Sequence, residues 1–355
     1  MAFHIWGNAL TVAPQHFLSR ALMIFIHHGW LGVQIFFTLS GFLITNILYE
    51  SLGTEHFFRD FYIRRVLRIF PLYYFVLLVL LCLTPVFALN WHGKAWAWFL
   101  YLQFTLQTSP YLSRHISIVH LWSLAIEEQF YLCWPLIVYF IKDRNRLVLT
   151  AALLSLVALA LRCYIVYPHA SYSVRFLLPT EMDSLLIGGI GTLLLRTRLR
   201  PQLLSLGKYL FALSLVPLLS RLYTNGGLNY EADRFVDSVG FTLFATASLG
   251  LLLWTLSPDT IAAQLFSNRI LRFFGKYSYG LYILHYFLMA LRLPLYHVVW
   301  RLTHQHTLAL LIPGIVMIGG SLVLALFSFH LLERPFLRLK DRFAYRQKNV
   351  PVLAA

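Results

Sequence analysis

The chain has 355 residues, of which 59% are hydrophobic and only 12% are charged, and its mean hydropathy is +0.68. Soluble domains carry about 25% charged residues, so this composition excludes an ordinary soluble protein and predicts an integral membrane protein. The formal charge of +15 does not indicate nucleic-acid binding. The Lys and Arg residues cluster between apolar segments, as in membrane loops, and form no basic stripe interleaved with aromatic residues.

Residues 1–28 contain no apolar run long enough to cross a bilayer before the run that starts near Leu31. They also lack the basic start and the small-residue cleavage site that a signal peptide needs. We interpret this stretch as the remnant of a first helix followed by a loop.

Nine apolar runs of about 20 residues follow, each long enough for a transmembrane helix. They are apolar on all sides, whereas a helix at the surface of a soluble core keeps a polar face. The sequence therefore predicts an all-α, polytopic transmembrane helix bundle of about nine to ten spans, folded as a single membrane domain over residues 1–355. The runs lie near 31–50, 70–89, 119–141, 147–167, 181–196, 203–222, 237–256, 279–300 and 308–332.

Basic residues cluster in the segments that separate alternate runs, which predicts that these segments face the cytoplasm. The alternation holds only if the short aromatic run 94–106 does not cross the bilayer. Trp96, Trp98 and Tyr101 within that run suit an interfacial aromatic belt. The chain would then end in the cytoplasm, with residues 333–355 as a short basic tail.

Two adjacent carboxylates, Glu127 and Glu128, lie within the apolar run 119–141. A carboxylate at the centre of a bilayer helix costs at least ~2.5 kcal/mol on insertion scales, so an intramembrane acid is a functional-site candidate whose partner must be found. One interpretation is a carboxylate that orients a general base. The other is a proton relay or a substrate counter-ion in a transporter.

Further polar residues lie in or beside the apolar runs. A histidine close to a carboxylate can take a proton from a hydroxyl group. Arg65 and Arg68 lie three residues apart and share a helix face, which suits the phosphates of an anionic ligand. The spacing of the cysteines predicts no metal site. The candidate residues are His4, Ser40, Arg65, Arg68, His120, Glu127, Glu128, Asp183, His285 and Glu333.

Three of these candidates also suit structural roles. Asp183 and Glu333 are placed to pair with arginines near helix ends. Ser40, next to Gly41, suits the close packing of two membrane helices.

Taken together and in order, six sequence strings resemble the integral membrane acyltransferase-3 family, which moves acyl groups from a coenzyme A donor onto sugars and related hydroxyl acceptors. The resemblance covers the chain from about residue 29 to its end and implies a bundle of ten helices or so with both termini in the cytoplasm. The strings are GWLGVQIFFTLSGFLIT at 29–45, FYIRRVLRIFPLYY at 61–74, HLWSLAIEEQFYLCWP at 120–135, MDSLLIGG at 182–189, FGKYSYGLYILH at 274–285 and HLLERPF at 330–336.

The resemblance also implies roles for particular residues. In the family the first helix carries an Arg, ten intervening residues and then a His that is a leading candidate for the catalytic base. His4 fits that His, with Glu127 to orient it or bind the acceptor and His285 as a reserve base. No residues precede His4 that could supply the Arg, so either the start codon is placed too late or the protein lacks most of this helix.

The expected activity is therefore that of an O-acyltransferase, transferring a group other than an aminoacyl group, in a bacterial inner or plasma membrane. We expect an acetyl group to move from cytoplasmic acyl-CoA, bound by Arg65 and Arg68, to a hydroxyl of a carbohydrate or lipid-linked glycan, with no permanently bound cofactor. Two routes stay open. Transfer is direct within the membrane, or the acyl group passes to an acceptor outside, where a separate periplasmic or extracellular partner completes the reaction.

Two alternatives remain at this point. One is a non-catalytic protein that keeps the fold of the family without its first helix. The other is a transporter or flippase in which Glu127 and Glu128 relay protons, although the sequence contains no inverted repeat of the kind such proteins show.

Overall fold

The computed structural model describes residues 2–6, 24–113, 116–166, 176–225, 228 and 233–343. These residues form a bundle of α-helices, and within these ranges the β-structure is limited to one isolated bridge between Tyr111 and Ser117. The predicted all-α fold is confirmed. The principal helices are α1 (Ala2–Trp6), α2 (Leu31–Glu50), α3 (Phe57–Cys82), α4 (Trp122–Ile141), α5 (Arg144–Val166), α6 (Leu178–Leu194), α7 (Arg200–Asn225), α8 (Phe241–Leu256), α9 (Arg269–Leu284), α10 (Arg292–Thr303), α11 (His306–Ser328) and α12 (Arg334–Lys340).

Eight segments of the described chain are long and apolar enough to cross a membrane, so the protein is a multi-pass membrane protein. The remaining predicted run, 181–196, forms α6, which has 17 residues. Most of α6 is buried within the bundle, where it packs against α2, α5 and α8. It runs antiparallel to α5, because Asp183 near its start meets Arg162 near the end of α5 and Arg196 just after it meets Arg144.

The basic segments meet at one end of the bundle, called the basic end below. There Arg144, at the start of α5, donates to the backbone carbonyl of Arg196, just after α6. The Arg196 guanidinium forms an ion pair with Glu50 at the end of α2, with 2.6 Å between nitrogen and oxygen. Arg64 in α3 donates to the carbonyl of Phe343, beyond α12.

The closest helix approach in the bundle centre joins α2 to α6. A Cβ atom added at Gly41 would overlap the backbone carbonyl of Leu185, and one added at Gly188 would overlap the carbonyl of Thr38. No hydrophobic force draws helices together in lipid, so membrane helices associate through close packing, and small residues allow them to pack backbone to backbone. Gly41 itself, rather than its neighbour Ser40, makes this contact.

The aromatic run 94–106 does not cross the membrane, as predicted, but its interpretation as an interfacial belt is wrong. Its helical part, Ala95–Phe99, has five residues, and the run folds back against α3. Trp98 is only 1% exposed and Tyr101 is also buried. The Tyr73 hydroxyl donates to the carbonyl of Trp98 over 2.7 Å, so the run is held by protein, and of its three predicted belt residues only Trp96 is exposed.

The predicted basic tail at 333–355 also needs correction. The π-helical segment Phe329–Glu333 joins α11 to α12, so the helix continues to Lys340 and packs against α3. Glu333 is buried. Residues 344–355 lie outside the described chain.

Part of the predicted N-terminal remnant is helical. Residues 2–6 form α1, which packs against α11, and the indole nitrogen of Trp6 donates to the carbonyl of Leu310 over 3.0 Å. Residues 7–23 lie outside the described chain, so the interpretation of that stretch as a loop stays a prediction.

We expect Gly41→Ala to lower the thermal unfolding midpoint of the detergent-purified protein, because α2 and α6 must separate to admit the methyl group. Overpacking of this kind costs about 1–3 kcal/mol. Gly32→Ala is the control in the same helix, since no atom lies within 4 Å of the added Cβ. Equal midpoints for the two variants, measured by loss of monodisperse elution after heating, would contradict the tight α2–α6 contact.

Candidate active site

A polar stripe runs along one face of α4 and the 3-10 turn before it. His120, Ser123, Glu127 and Tyr131 are spaced by three or four residues, which places them on one side of a helix. All four side chains are buried. We call these four residues, with their partners Ser40 and Tyr282, the polar column.

Near the basic end, the column is centred on Glu127. The Tyr131 hydroxyl donates to Glu127 Oε1 over 2.9 Å, and Ser40 Oγ lies 2.6 Å from the same hydroxyl oxygen. The Arg65 guanidinium lies over the Tyr131 ring, 5.7 Å from its centroid. Glu127 is 2% exposed, so a tyrosine hydroxyl and a nearby guanidinium compensate its burial.

This geometry corrects one sequence-based expectation. Glu127 was expected to orient His4 or to bind the acceptor, but its bonded partners within the described chain are Tyr131 and Ser40. His4 packs elsewhere, against His285 and Tyr286. Glu127 therefore does not hold His4 directly.

The middle of the column joins α4 to α9. Ser123 Oγ lies 2.7 Å from the hydroxyl oxygen of Tyr282, and that hydroxyl donates to the backbone carbonyl of His120. Because the tyrosine hydrogen is used in this bond, Ser123 is the donor to Tyr282.

The far end of the column opens into three histidines, called the histidine cluster. The ring centroids of His120 and His285 are 5.4 Å apart, as are those of His4 and His285. Tyr286 stacks on His120 at 4.8 Å and meets His4 edge to face at 5.1 Å. His4, His120 and His285, which were separate sequence candidates, therefore form one group.

Backbone carbonyls fix the tautomers of two of these rings. His285 Nδ1 lies 2.8 Å from the carbonyl oxygen of Tyr282, and His120 Nε2 lies 3.1 Å from that of Ile283. A carbonyl only accepts, so these nitrogens carry the hydrogens. The other nitrogens, His285 Nε2 and His120 Nδ1, are buried with no hydrogen-bond partner in the described chain, and each keeps a lone pair.

The histidine cluster is not arranged as a metal site. Within the described residues, no group of three or more His, Cys, Asp or Glu side chains could hold a metal ion.

Arg65 and Arg68 lie at the basic end of α3, one partly buried and the other exposed. Neither guanidinium makes a hydrogen bond or ion pair to any residue that the structure describes. Arginines with free donors can bind phosphate through forked hydrogen bonds. Their place is therefore compatible with binding an anion.

Glu128 belongs to another surface of α4. It interacts electrostatically with Tyr73, Tyr74, Tyr101 and Tyr279, and its Oε1 is buried with no hydrogen-bond partner in the described chain. Consecutive helix residues point about 100° apart, so Glu127 and Glu128 have different hydrogen-bonding surroundings, although the two carboxylates repel each other and both are attracted by Arg65.

Asp183 has a structural partner. Arg162 in α5 donates to both of its carboxylate oxygens, over 2.7 and 2.6 Å, and Thr242 in α8 donates to one of them over 2.7 Å. This buried ion pair ties three helices together. The expected pairing of Asp183 with an arginine is observed.

Glu333 forms no direct ion pair with an arginine within the described chain, but it interacts electrostatically with Arg68. Its Oε1 accepts a hydrogen bond from Ser328 Oγ over 2.9 Å. The π-helical turn at Phe329–Glu333 brings the two residues, five positions apart, to the same side.

Sequence reasoning missed a second buried network, between α2 and α6. Gln34 donates to Glu181 Oε2 over 2.9 Å and accepts from Ser184 Oγ over 2.5 Å. Its signal in the sequence was the presence of a glutamine seven residues before Gly41, on the helix face that meets α6. Ser123 and Tyr131 of the polar column were missed too, although their spacing from Glu127 places them on its face.

The chain was compared with known proteins. A family model described as an acyltransferase domain matches residues 1–330. Among curated relatives, the chain is 29% identical to YrhL of Bacillus subtilis, named as a candidate peptidoglycan O-acetyltransferase, over 86% of this chain and 50% of YrhL. It is 30% identical to the O-acetyltransferase OatA of Staphylococcus aureus, over 73% of this chain and 45% of OatA.

A third relative is the peptidoglycan O-acetyltransferase OatA of Listeria monocytogenes, 28% identical over 91% of this chain and 55% of that protein. The chain spans about half the length of these relatives. No solved structure matches the chain.

We expect Asp183→Asn to destabilise the purified protein strongly, because it removes the carboxylate that is bonded to the buried Arg162 guanidinium. Removing one member of a buried ion pair costs about 3–5 kcal/mol. The control is Glu50→Gln, which breaks the ion pair with Arg196 where Glu50 is 49% exposed. Exposed pairs contribute about 0–1 kcal/mol, so a similar loss of thermal stability in both variants would contradict the structural role of Asp183.

Proposed function

The chain belongs to the acyltransferase-3 family, and we propose that it is a membrane O-acetyltransferase that moves an acetyl group from acetyl-CoA to a hydroxyl group of a cell-wall carbohydrate. Relatives named for peptidoglycan O-acetylation support peptidoglycan or a lipid-linked precursor as the acceptor. The polar column carries the proposal. One end of the column lies beside the guanidiniums of Arg65 and Arg68, which make no hydrogen bond to the described residues. The imidazole lone pairs of His120 and His285 lie at the other end.

The donor would bind at the basic end. The guanidiniums of Arg65 and Arg68 make no hydrogen bond to the residues that the structure describes and share a face of α3, so both can reach the phosphates of one CoA molecule. Arg65 also touches the polar column through the Tyr131 ring. A donor held there would direct its thioester into the column.

The length of the column suits this arrangement. Tyr131 lies eleven residues after His120, which corresponds to roughly 16 Å along a helix axis. CoA carries its thioester at the end of a long flexible arm, so phosphates bound near Arg65 leave the acetyl group free to approach the histidine cluster.

His4 would act as the general base in this cluster. The acceptor oxygen attacks the thioester carbonyl carbon while its proton passes to the imidazole. The carbon–sulfur bond then breaks, and the leaving thiolate takes up the proton as CoA is released. General-base catalysis of this kind contributes typically about 10²–10⁴-fold. His285, whose ring centroid is 5.4 Å from that of His4, is the alternative base.

Glu127 would position the Tyr131 hydroxyl and would not orient the general base. It fixes the Tyr131 hydroxyl, which in turn holds Ser40, where the column meets the Arg65 guanidinium. A negative charge at this point also helps to keep that guanidinium beside the column.

We place the protein in a bacterial plasma membrane with the basic end, and hence the C-terminal helix α12, on the cytoplasmic side. The positive-inside rule supports this orientation. Acetyl-CoA would then enter from the cytoplasm, and the histidine cluster would lie toward the outer surface, where a cell-wall acceptor is found.

We expect Arg65→Ala and Arg68→Ala to raise the KM for acetyl-CoA by about 10- to 100-fold, because each removes charge-assisted hydrogen bonds to phosphate. The measurement is transfer of radiolabelled acetyl from acetyl-CoA to a glycan pool by membranes carrying each variant. Arg198→Ala removes an exposed arginine of the basic end and serves as control. If all three variants keep the wild-type KM, the donor site lies elsewhere.

In the same assay we expect His4→Ala to lower kcat by about 10²- to 10⁴-fold with little change in the KM for acetyl-CoA, because a general base acts on the transition state. His297→Ala, at an exposed position of α10, is the control. Full activity of His4→Ala together with loss of activity in a His285 variant would transfer the role of base to His285. Absence of transfer by wild-type membranes would refute the proposed activity.

A further inference from the structure

When His4 is the general base, two buried ring nitrogens of the histidine cluster have no role in the proposed reaction. They are His120 Nδ1 and His285 Nε2, in side chains that are 3% and 5% exposed. Buried polar atoms almost always have a hydrogen-bond partner, and each exception calls for an explanation. Here two exceptions lie in adjoining rings, 5.4 Å apart between centroids.

Both nitrogens are hydrogen-bond acceptors. Each ring donates its single hydrogen to a backbone carbonyl, His120 to Ile283 and His285 to Tyr282. The two lone pairs therefore cannot bind each other. They need a molecule that brings two donors, one for each ring.

The neighbourhood suggests which molecule that is. His4, the proposed base, adjoins His285, and Tyr286 contacts all three histidines. His4 and Tyr286 are only partly buried, so the cluster can be reached from outside. The carboxylates of the site lie further along the column, and the Arg292 guanidinium beside the cluster donates to the backbone carbonyl of Ile5, so this end favours an uncharged, donor-rich ligand. A carbohydrate, with O–H and N–H groups on adjacent carbons, fits that description.

We propose that His120 and His285 form a two-acceptor clamp that binds the carbohydrate acceptor, with His120 Nδ1 and His285 Nε2 each accepting one hydrogen bond from the sugar. This inference rests on the proposed function and names the residues that select its acceptor. His120 and His285 are positioning residues in this scheme. They hold the sugar so that the reacting hydroxyl faces His4.

The test uses pairs of amide substitutions that separate the two nitrogens of each ring. At position 120, His120→Gln can keep a donor near Nε2 for the Ile283 carbonyl but has no acceptor at Nδ1. His120→Asn can keep an acceptor near Nδ1 but has no donor at Nε2. At position 285, His285→Asn can keep the donor near Nδ1 for the Tyr282 carbonyl and loses the Nε2 acceptor, whereas His285→Gln does the reverse.

The quantity measured is the Kd of the detergent-purified full chain for a soluble oligomer of N-acetylglucosamine and N-acetylmuramic acid, in the absence of acetyl-CoA. We expect His120→Gln and His285→Asn to bind about 5- to 100-fold more weakly than wild type, because each leaves a sugar donor unpaired. His120→Asn and His285→Gln should stay within a few-fold of wild type. Asn is therefore the better-tolerated substitution at position 120, and Gln at position 285.

A purely structural role predicts the reverse order, because it depends on the carbonyl bonds, and that order would overturn the clamp. Wild-type affinity in all four variants would also overturn it, since a water molecule would then satisfy the two nitrogens. If the variants at one position do not give monodisperse protein, the pair at the other position decides. The acetyl-transfer assay tests the proposed function separately. If wild type transfers acetyl groups but the four variants do not show the expected order of affinities, the clamp alone is refuted. If wild type transfers none, the proposed function is refuted.

Discussion

The backbone contact between α2 and α6 is the constraint on which the centre of the protein depends. Gly41 and Gly188 let the two helices touch without side chains between them. That contact brings Gln34 against Glu181 and Ser184 on one side of α2. Ser40, next to Gly41, reaches Tyr131, and Thr45, which also adjoins Gly189 of α6, accepts from the Trp134 indole over 2.9 Å. Since α4 is placed by these bonds, its polar face is placed as well.

A bilayer offers no water to groups that the protein leaves unpaired, so each polar atom in the spans needs an internal partner. The buried ion pair of Arg162 with Asp183 and the contact of Tyr131 with Glu127 meet that need. Buried side-chain atoms without a hydrogen-bond partner within the described chain include His120 Nδ1 and His285 Nε2 at one end of the polar column, and also Glu128 Oε1 and atoms of Tyr101 and Gln103 away from it. The two imidazole nitrogens belong to adjoining rings, so one ligand could bind both.

The sequence was sufficient to predict the helical class, the positions of most spans and the importance of the run around Glu127, because hydropathy and length determine which segments can cross a bilayer. It did not reveal the partner of Glu127, since a tyrosine hydroxyl four residues away looks like any aromatic residue in an apolar run. The burial of Trp98 and Tyr101 was missed because a belt at the interface and a segment folded onto the protein have the same composition. The sequence predicted that Asp183 pairs with an arginine. It did not identify Arg162, because that depends on how α5 packs beside α6.

Helix α9 ends at Leu284, in the middle of a segment that continues to Thr303, and the chain changes there to a 3-10 turn. The carbonyls of a last helical turn have no partners within the helix. Here two of them are taken by imidazoles, Tyr282 by His285 and Ile283 by His120. If either ring turned, its carbonyl partner would lose a hydrogen bond in a nonpolar medium. The helix end therefore keeps both imidazoles preorganised before any ligand arrives, and little of the binding energy of a ligand is spent on ordering them.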